Sequence, residues 1–178
     1  MGLTYVFMGM VVLYTALAAI VDFRFRRIPN YLTVPAAVLG LLFHALCELP
    51  LGITIVDSLA GFAIGFCLLL LPWLLGGGGM GDVKLLAALG TWLGPKMLLI
   101  AFAVSIAMSA IAALVTLTYA ASTVGISAAK GKYLAKNQSE RRRKKGPVRV
   151  VPFAVPVAMS TWLLLVWQFY SGNMVTGF

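Results

Sequence analysis

The sequence predicts an all-α, polytopic membrane protein of about six transmembrane helices, the fourth of them short and carrying an aspartate at its start. Three observations predict this. Of the 178 residues, 61% are hydrophobic and 11% are charged, where a soluble domain carries roughly a quarter charged. The apolar residues come in long unbroken runs, as helices surrounded by lipid require. The basic residues, which set the net charge of +9, gather in two clusters.

The first apolar segment, 3–21, follows Met1–Gly2 without the basic region of a cleavable signal, so it is expected to stay as a span. Arg24, Arg26 and Arg27 follow it, then the second segment, 32–49, and the third, 52–75. A glycine run leads to Asp82 and the fourth segment, 83–94. Its dozen residues reach about 18 Å, against a hydrocarbon core of roughly 30 Å. A short helix in thinned bilayer, or a re-entrant piece held against its neighbours, is expected there. Gly94–Pro95 ends it, because proline restricts the residue before it and lacks a backbone donor. The fifth and sixth segments are 97–122 and 152–170. Between them, about 123–150, lies a polar loop containing the second cluster, Lys130 to Arg149 with "RRRKK". It is too short for a separate domain, so 1–178 reads as a single membrane domain.

Lys- and Arg-rich loops stay in the cytoplasm. Both clusters share a side only if the fourth and fifth segments also cross, which puts both termini outside. The clusters therefore report topology, with anionic lipid head groups as a secondary partner, and nucleic acid is not an expected partner. Cys47 and Cys67 form no CxxC pair and no metal-ligand spacing, so neither a metal nor a cofactor site is expected.

The chain has five acids. Glu48 and Glu140 fall in polar loops, and Asp57, just inside the third segment, suits a helix cap or the membrane interface. Asp22, read as ending the first helix, and Asp82, starting the fourth, stand apart. An ionisable group at membrane depth costs roughly 2.5–3.5 kcal/mol on insertion scales and has a functional reason as a rule. An even number of crossings separates the two, which returns them to one side at similar depth. Two carboxylates facing one another share a proton, and such a pair can activate water while polarising a carbonyl. Two unrelated helix-end aspartates remain the alternative on spacing alone.

Gly79 and Gly81 flank Met80 just before Asp82. Glycine permits the close approach that an extended substrate backbone needs, although a flexible connector or close helix packing would use it too. "GGGGMGDVK" lacks the GK[ST] ending of a phosphate-binding loop. Lys84 lies about 200° round a helix from Asp82, placed either to reach head groups or to set the charge of the site. His44, the only histidine, suits helix packing better than catalysis. Ser105, Ser109, Thr116 and Thr118 have spacings typical of interhelical contact.

"DFRFRRIPNYLT", 22–33, resembles the first signature of the type IV prepilin peptidases, with Asp22, a basic turn and Ile28-Pro29-Asn30. "GGGGMGDVKLLAALG" resembles their GxGD signature, Gly79-Met80-Gly81-Asp82, followed by Lys84 and Leu85. "VPFAVPVA", 151–158, is similar to the opening of the family's last helix. The resemblance covers nearly the whole chain. It implies Asp22 and Asp82 as a metal-independent catalytic pair, with Gly79, Met80, Gly81, Lys84, Pro29 and Asn30 around the substrate. It implies cleavage of a basic leader from prepilins or pseudopilins at the cytoplasmic face of the bacterial inner membrane. Larger members carry an amino-terminal extension, often with paired cysteines, associated with methylating the new amino terminus. This chain starts at the first aspartate-bearing helix and has no CxxC. It resembles the short form of tight-adherence (Flp-type) pilus systems, which implies cleavage without N-methylation.

Presenilin and signal-peptide-peptidase proteases also use GxGD, but here Val21 precedes Asp22 and "PAL" is absent. A small proton or cation transporter would place its acids nearer mid-helix, and an assembly scaffold would tolerate losing both.

Overall fold

The computed structural model describes residues 2–25, 27–47, 52–76, 79–124 and 153–171. Arg26, Glu48, Gly77, Gly78, Glu140 and the RRRKK loop lie outside the described residues.

All regular structure among the described residues is helical. The helices are α1 (Gly2–Phe25), α2 (Asn30–Leu46), α3 (Ile55–Leu74), a helical run Met80–Val124 broken at Gly94 into α4 (80–93) and α5 (95–124), and α6 (Ala154–Tyr170). Each predicted segment is thus a helix. The stretches Gly2–Phe25, Ile55–Leu74 and Met80–Thr116 are long and apolar enough to cross a membrane, while α2 and α6 are shorter apolar helices.

The boundaries correct the sequence reading in one important place. Asp22 does not end α1, because the helix runs another turn to Phe25. Arg24 in that turn complements the carbonyl end of the helix dipole, and Pro29, which precedes α2, is extended. α2 then begins at Asn30, with the amides of Leu32 and Thr33 bonded to the Pro29 carbonyl. α3 begins with a reciprocal cap. The Asp57 amide donates to Thr54 Oγ1 at 3.2 Å, and Asp57 Oδ2 accepts from the Thr54 amide at 2.9 Å and from its hydroxyl at 2.7 Å.

Two compact units emerge, Met1–Ile106 with Pro152–Phe178, and Ala107–Val151. In the second, Thr116 and Thr118 bond back to carbonyls of their own helix, Ala113 and Val115, so the expected interhelical role is not where these hydroxyls are spent. In the first, α1 packs on α6, and the Trp162 indole donates to Thr15 Oγ1 at 2.9 Å. The core is formed by Phe7, Val11, Leu85, Leu86, Leu89 and Leu98, with the rings of Phe7, Phe43 and Trp92 in contact.

α3 and α4 cross at backbone contact. A side chain at Gly61 or Gly90 would put its Cβ 2.2 Å from the carbonyl oxygen of the other, and one at Gly65 would meet the Leu86 carbonyl at 2.5 Å. Small residues at such a stripe (Ser58, Gly61, Gly65) bring two helix axes together where no hydrophobic drive operates between lipid-solvated helices. Gly61→Ala should therefore cost about 1–3 kcal/mol or more, read as a lower unfolding temperature in detergent.

The break at Gly94 (φ 68°) leaves carbonyls without helical donors, since Pro95 has no N–H. Ser58 Oγ donates to the Thr91 carbonyl at 2.5 Å and His44 Nε2 donates to the Trp92 carbonyl at 3.1 Å. His44 is thus a packing residue, as the sequence suggested.

Candidate active site

The two aspartates converge at one end of the first unit. Asp22, in the last turns of α1, is only 7% exposed. Its Oδ2 accepts a 3.2 Å hydrogen bond from the backbone amide of Ala154, the first residue of α6. The first amides of a helix have no partner within it and carry partial positive charge, so α6 offers Asp22 a natural anchor. Asp82 stands in the first turn of α4 and is partly exposed. Its carboxylate accepts from the Gly79 amide, and its own amide donates to the Gly79 carbonyl at 3.1 Å. This is the return half of a capping box, an acid three residues in reaching back to the capping position. Each carboxylate is therefore held by the opening turn of a helix. The Asp22 carboxyl group lies near enough to act through space on Asp82.

The surrounding motif residues join the two carriers. A Cβ on Gly81 would lie 3.3 Å from both the backbone nitrogen and the Cβ of Ile28, so the glycine lets α4 seat against the turn after α1. A Cβ on Gly79 would lie 3.2 Å from Asp82 Oδ2. Lys84 Nζ donates to Asn30 Oδ1 at 2.8 Å, linking α4 to the start of α2 just beyond Pro29. That bond is a third use of Lys84, beside the two expected from sequence. The Tyr14 hydroxyl donates to the Leu85 carbonyl at 3.4 Å. Gly79 is exposed and Met80 half-buried. Among the described residues no group of three or more His, Cys, Asp or Glu could hold a metal ion.

Sequence reasoning missed the Ala154 amide and the Ile28–Gly81 contact. "VPFAVPVA" marked the start of a helix, but no pattern says whose carboxylate its first amide meets.

Residues 7–114 match the type IV leader peptidase family. The chain belongs to that family. Its similar relatives include the prepilin leader peptidase/N-methyltransferase of Escherichia coli (strain K12), 40% identical over 47% of this chain and 40% of the relative. Proteins of the same description from Aeromonas salmonicida (strain A449) and Dickeya chrysanthemi are 31% and 43% identical, over 83% and 50% of this chain. Those matches cover 44% and 34% of the relatives, so the chain spans less than half the length of these proteins. No solved structure matches it. The matched region contains both aspartates and all six motif residues around them.

The Asn30–Lys84 bond is partly exposed, which limits its worth to about 1 kcal/mol or less. Lys84→Met should thus leave the unfolding temperature nearly unchanged, as thermal unfolding in detergent would show. Asn30→Asp with Lys84 intact should do the same, since an ion pair replaces the bond.

Proposed function

We propose that this chain is a membrane aspartyl endopeptidase that removes the basic leader from prepilin or pseudopilin substrates. The observation that carries the reading is the pair Asp22 and Asp82, within electrostatic reach of each other and each anchored at a helix start, in a member of the leader peptidase family.

In this mechanism the two carboxyl groups hold one proton between them. The ionised one takes a proton from water as the water oxygen attacks the scissile carbonyl carbon, and the protonated one gives its proton to the carbonyl oxygen. The tetrahedral diol then collapses. The C–N bond breaks, the amine nitrogen receives the proton that was taken from water, the other carboxylate takes the proton of a diol hydroxyl as the C=O bond re-forms, and the pair returns to its starting state. No covalent intermediate and no metal takes part. Gly79 and Gly81 leave bare backbone beside Asp82 against which an extended substrate can lie, with Met80, Pro29, Asn30 and Lys84 bordering it. The anchors matter because a carboxylate held in place loses little freedom on reaching the transition state.

The reading places residues 1–178 as one peptidase domain of about six crossings in the bacterial inner membrane, with its site towards the cytoplasm and both termini outside. Support comes from the exposed Arg24 and Arg27 at the same end as the dyad, where the positive-inside rule wants them. Anionic lipids would gather around these arginines.

The test is incubation of the protein, reconstituted in vesicles, with a prepilin bearing a basic leader. The reading predicts one cut that releases the leader, unaffected by a metal chelator. An intact substrate, or cleavage abolished by the chelator and restored by a divalent metal, would sink it.

A further inference from the structure

At the end of the bundle away from the two aspartates lies a cavity of about 210 Å³ that the leader peptidase reading does not use. It opens between the first turn of α3, the α4–α5 break and the last turn of α6, and three polar side chains line it: Asp57, Lys96 and Gln168. α3 separates it from the dyad, since twenty residues rise about 30 Å. Along α4 and α5, Lys96 lies fourteen residues beyond Asp82, about 21 Å.

The polar groups in this cavity are incompletely used. Gln168, which lines the cavity, is only 4% exposed. A side-chain amide at such a wall offers both donors and an acceptor to an occupant. Asp57 spends Oδ2 on Thr54 and keeps Oδ1 free among the described residues. The Lys96 charge acts on Asp57 only through space, with no ion pair between them. A carboxylate oxygen, an ammonium group and an amide thus face one space without satisfying each other. Ile53, Leu93 and Met97 supply its apolar wall.

We propose that this cavity holds a compact zwitterion of the phosphoethanolamine type, the head group of a phospholipid in the leaflet opposite the dyad. The phosphate pairs with Lys96 and accepts from the Gln168 amide, and the ammonium donates to Asp57 Oδ1. The choice among head groups follows from donor chemistry. An ethanolamine ammonium has N–H donors for a carboxylate, a choline group has none, and glycerol carries no cation. The membrane source follows from position, because the cavity sits at the end of helices apolar enough to cross a bilayer. The inference rests on the membrane placement above and is independent of the peptidase chemistry.

The experiment is lipid analysis by native mass spectrometry of the purified full chain, taken from vesicles of mixed phosphatidylethanolamine, phosphatidylcholine and phosphatidylglycerol. The expected result is a bound phosphatidylethanolamine, preferred about tenfold over either competitor, as loss of a charge-assisted hydrogen bond implies. Asp57→Asn, whose amide oxygen can still cap α3, should level phosphatidylethanolamine with phosphatidylcholine. Lys96→Gln should weaken retention of every phospholipid, and Lys96→Arg should restore it. Retention without head-group preference, or a preference untouched by these changes in variants that unfold at the wild-type temperature, would overturn the proposal. Free phosphoethanolamine binding the delipidated protein as tightly as the lipid would overturn the lipid as the source.

Discussion

Asp82→Asn is expected to lower leader cleavage by about 10²–10⁴-fold, the range for loss of a positioned acid or base. The substitution is nearly isosteric, and its remaining amide oxygen can accept from the Gly79 amide as the carboxylate does. The Ile28–Gly81 seat and the Asn30–Lys84 bond involve other atoms and stay intact. Stability should therefore change by less than about 1 kcal/mol, as for a cap exchanged between two good capping residues. Rate and stability separate in this variant, and that separation is what distinguishes a reacting group from a structural one. A variant that folds, inserts and cleaves at the wild-type rate would return Asp82 to the role of a helix cap, and the scaffold and transporter readings would move ahead.

The second large effect is at Asp22, where chemistry and structure overlap. Asp22 is buried and accepts from the first amide of α6, so Asp22→Ala removes a catalytic carboxyl and uncaps a helix in one step. Cleavage should be lost and stability should fall by about 0.5–2 kcal/mol, the usual cost of a missing cap. Asp22→Asn keeps an oxygen that can accept from Ala154. It should be as inactive as Asp22→Ala while unfolding near the wild-type temperature. Parallel unfolding curves and cleavage assays on the two variants check this. Equal stability of Ala and Asn would mean that the Ala154 bond contributes nothing to holding α6.

These two predictions draw on different layers of what the sequence reveals. The six helices were legible because each is an apolar run bounded by a strong signal. Pro29 precedes α2, Thr54 with Asp57 caps α3, and Gly94–Pro95 splits α4 from α5. Counting crossings led to the expectation that Asp22 and Asp82 share one end of the bundle, and such a count carries no distance. The extra turn of α1 beyond Asp22 was not legible. A basic sequence after an apolar run marks the membrane edge, whereas the helix continues into the polar zone until a residue stops it.

Contacts between distant segments were hidden for a plainer reason. A glycine in sequence says only that a side chain is missing. That Gly61 meets Gly90, while Gly81 meets Ile28, depends on how three helices register in space. The Ala154 amide is harder still, because a backbone donor leaves no mark on the side-chain pattern at all. His44 shows the opposite case. Its role was guessed correctly as packing, yet the carbonyl it serves became visible only with the break at Gly94.

The central claim is one proton shared between two carboxyl groups, and the pH dependence of leader cleavage by the wild-type protein in vesicles tests it most directly. With both groups protonated there is no base for water, and with both ionised there is no acid for the carbonyl. The account therefore predicts a bell-shaped rate profile that falls on the acid and the alkaline side alike. A rate that rises to a plateau and stays there at high pH would require only a base, and would contradict the shared-proton pair.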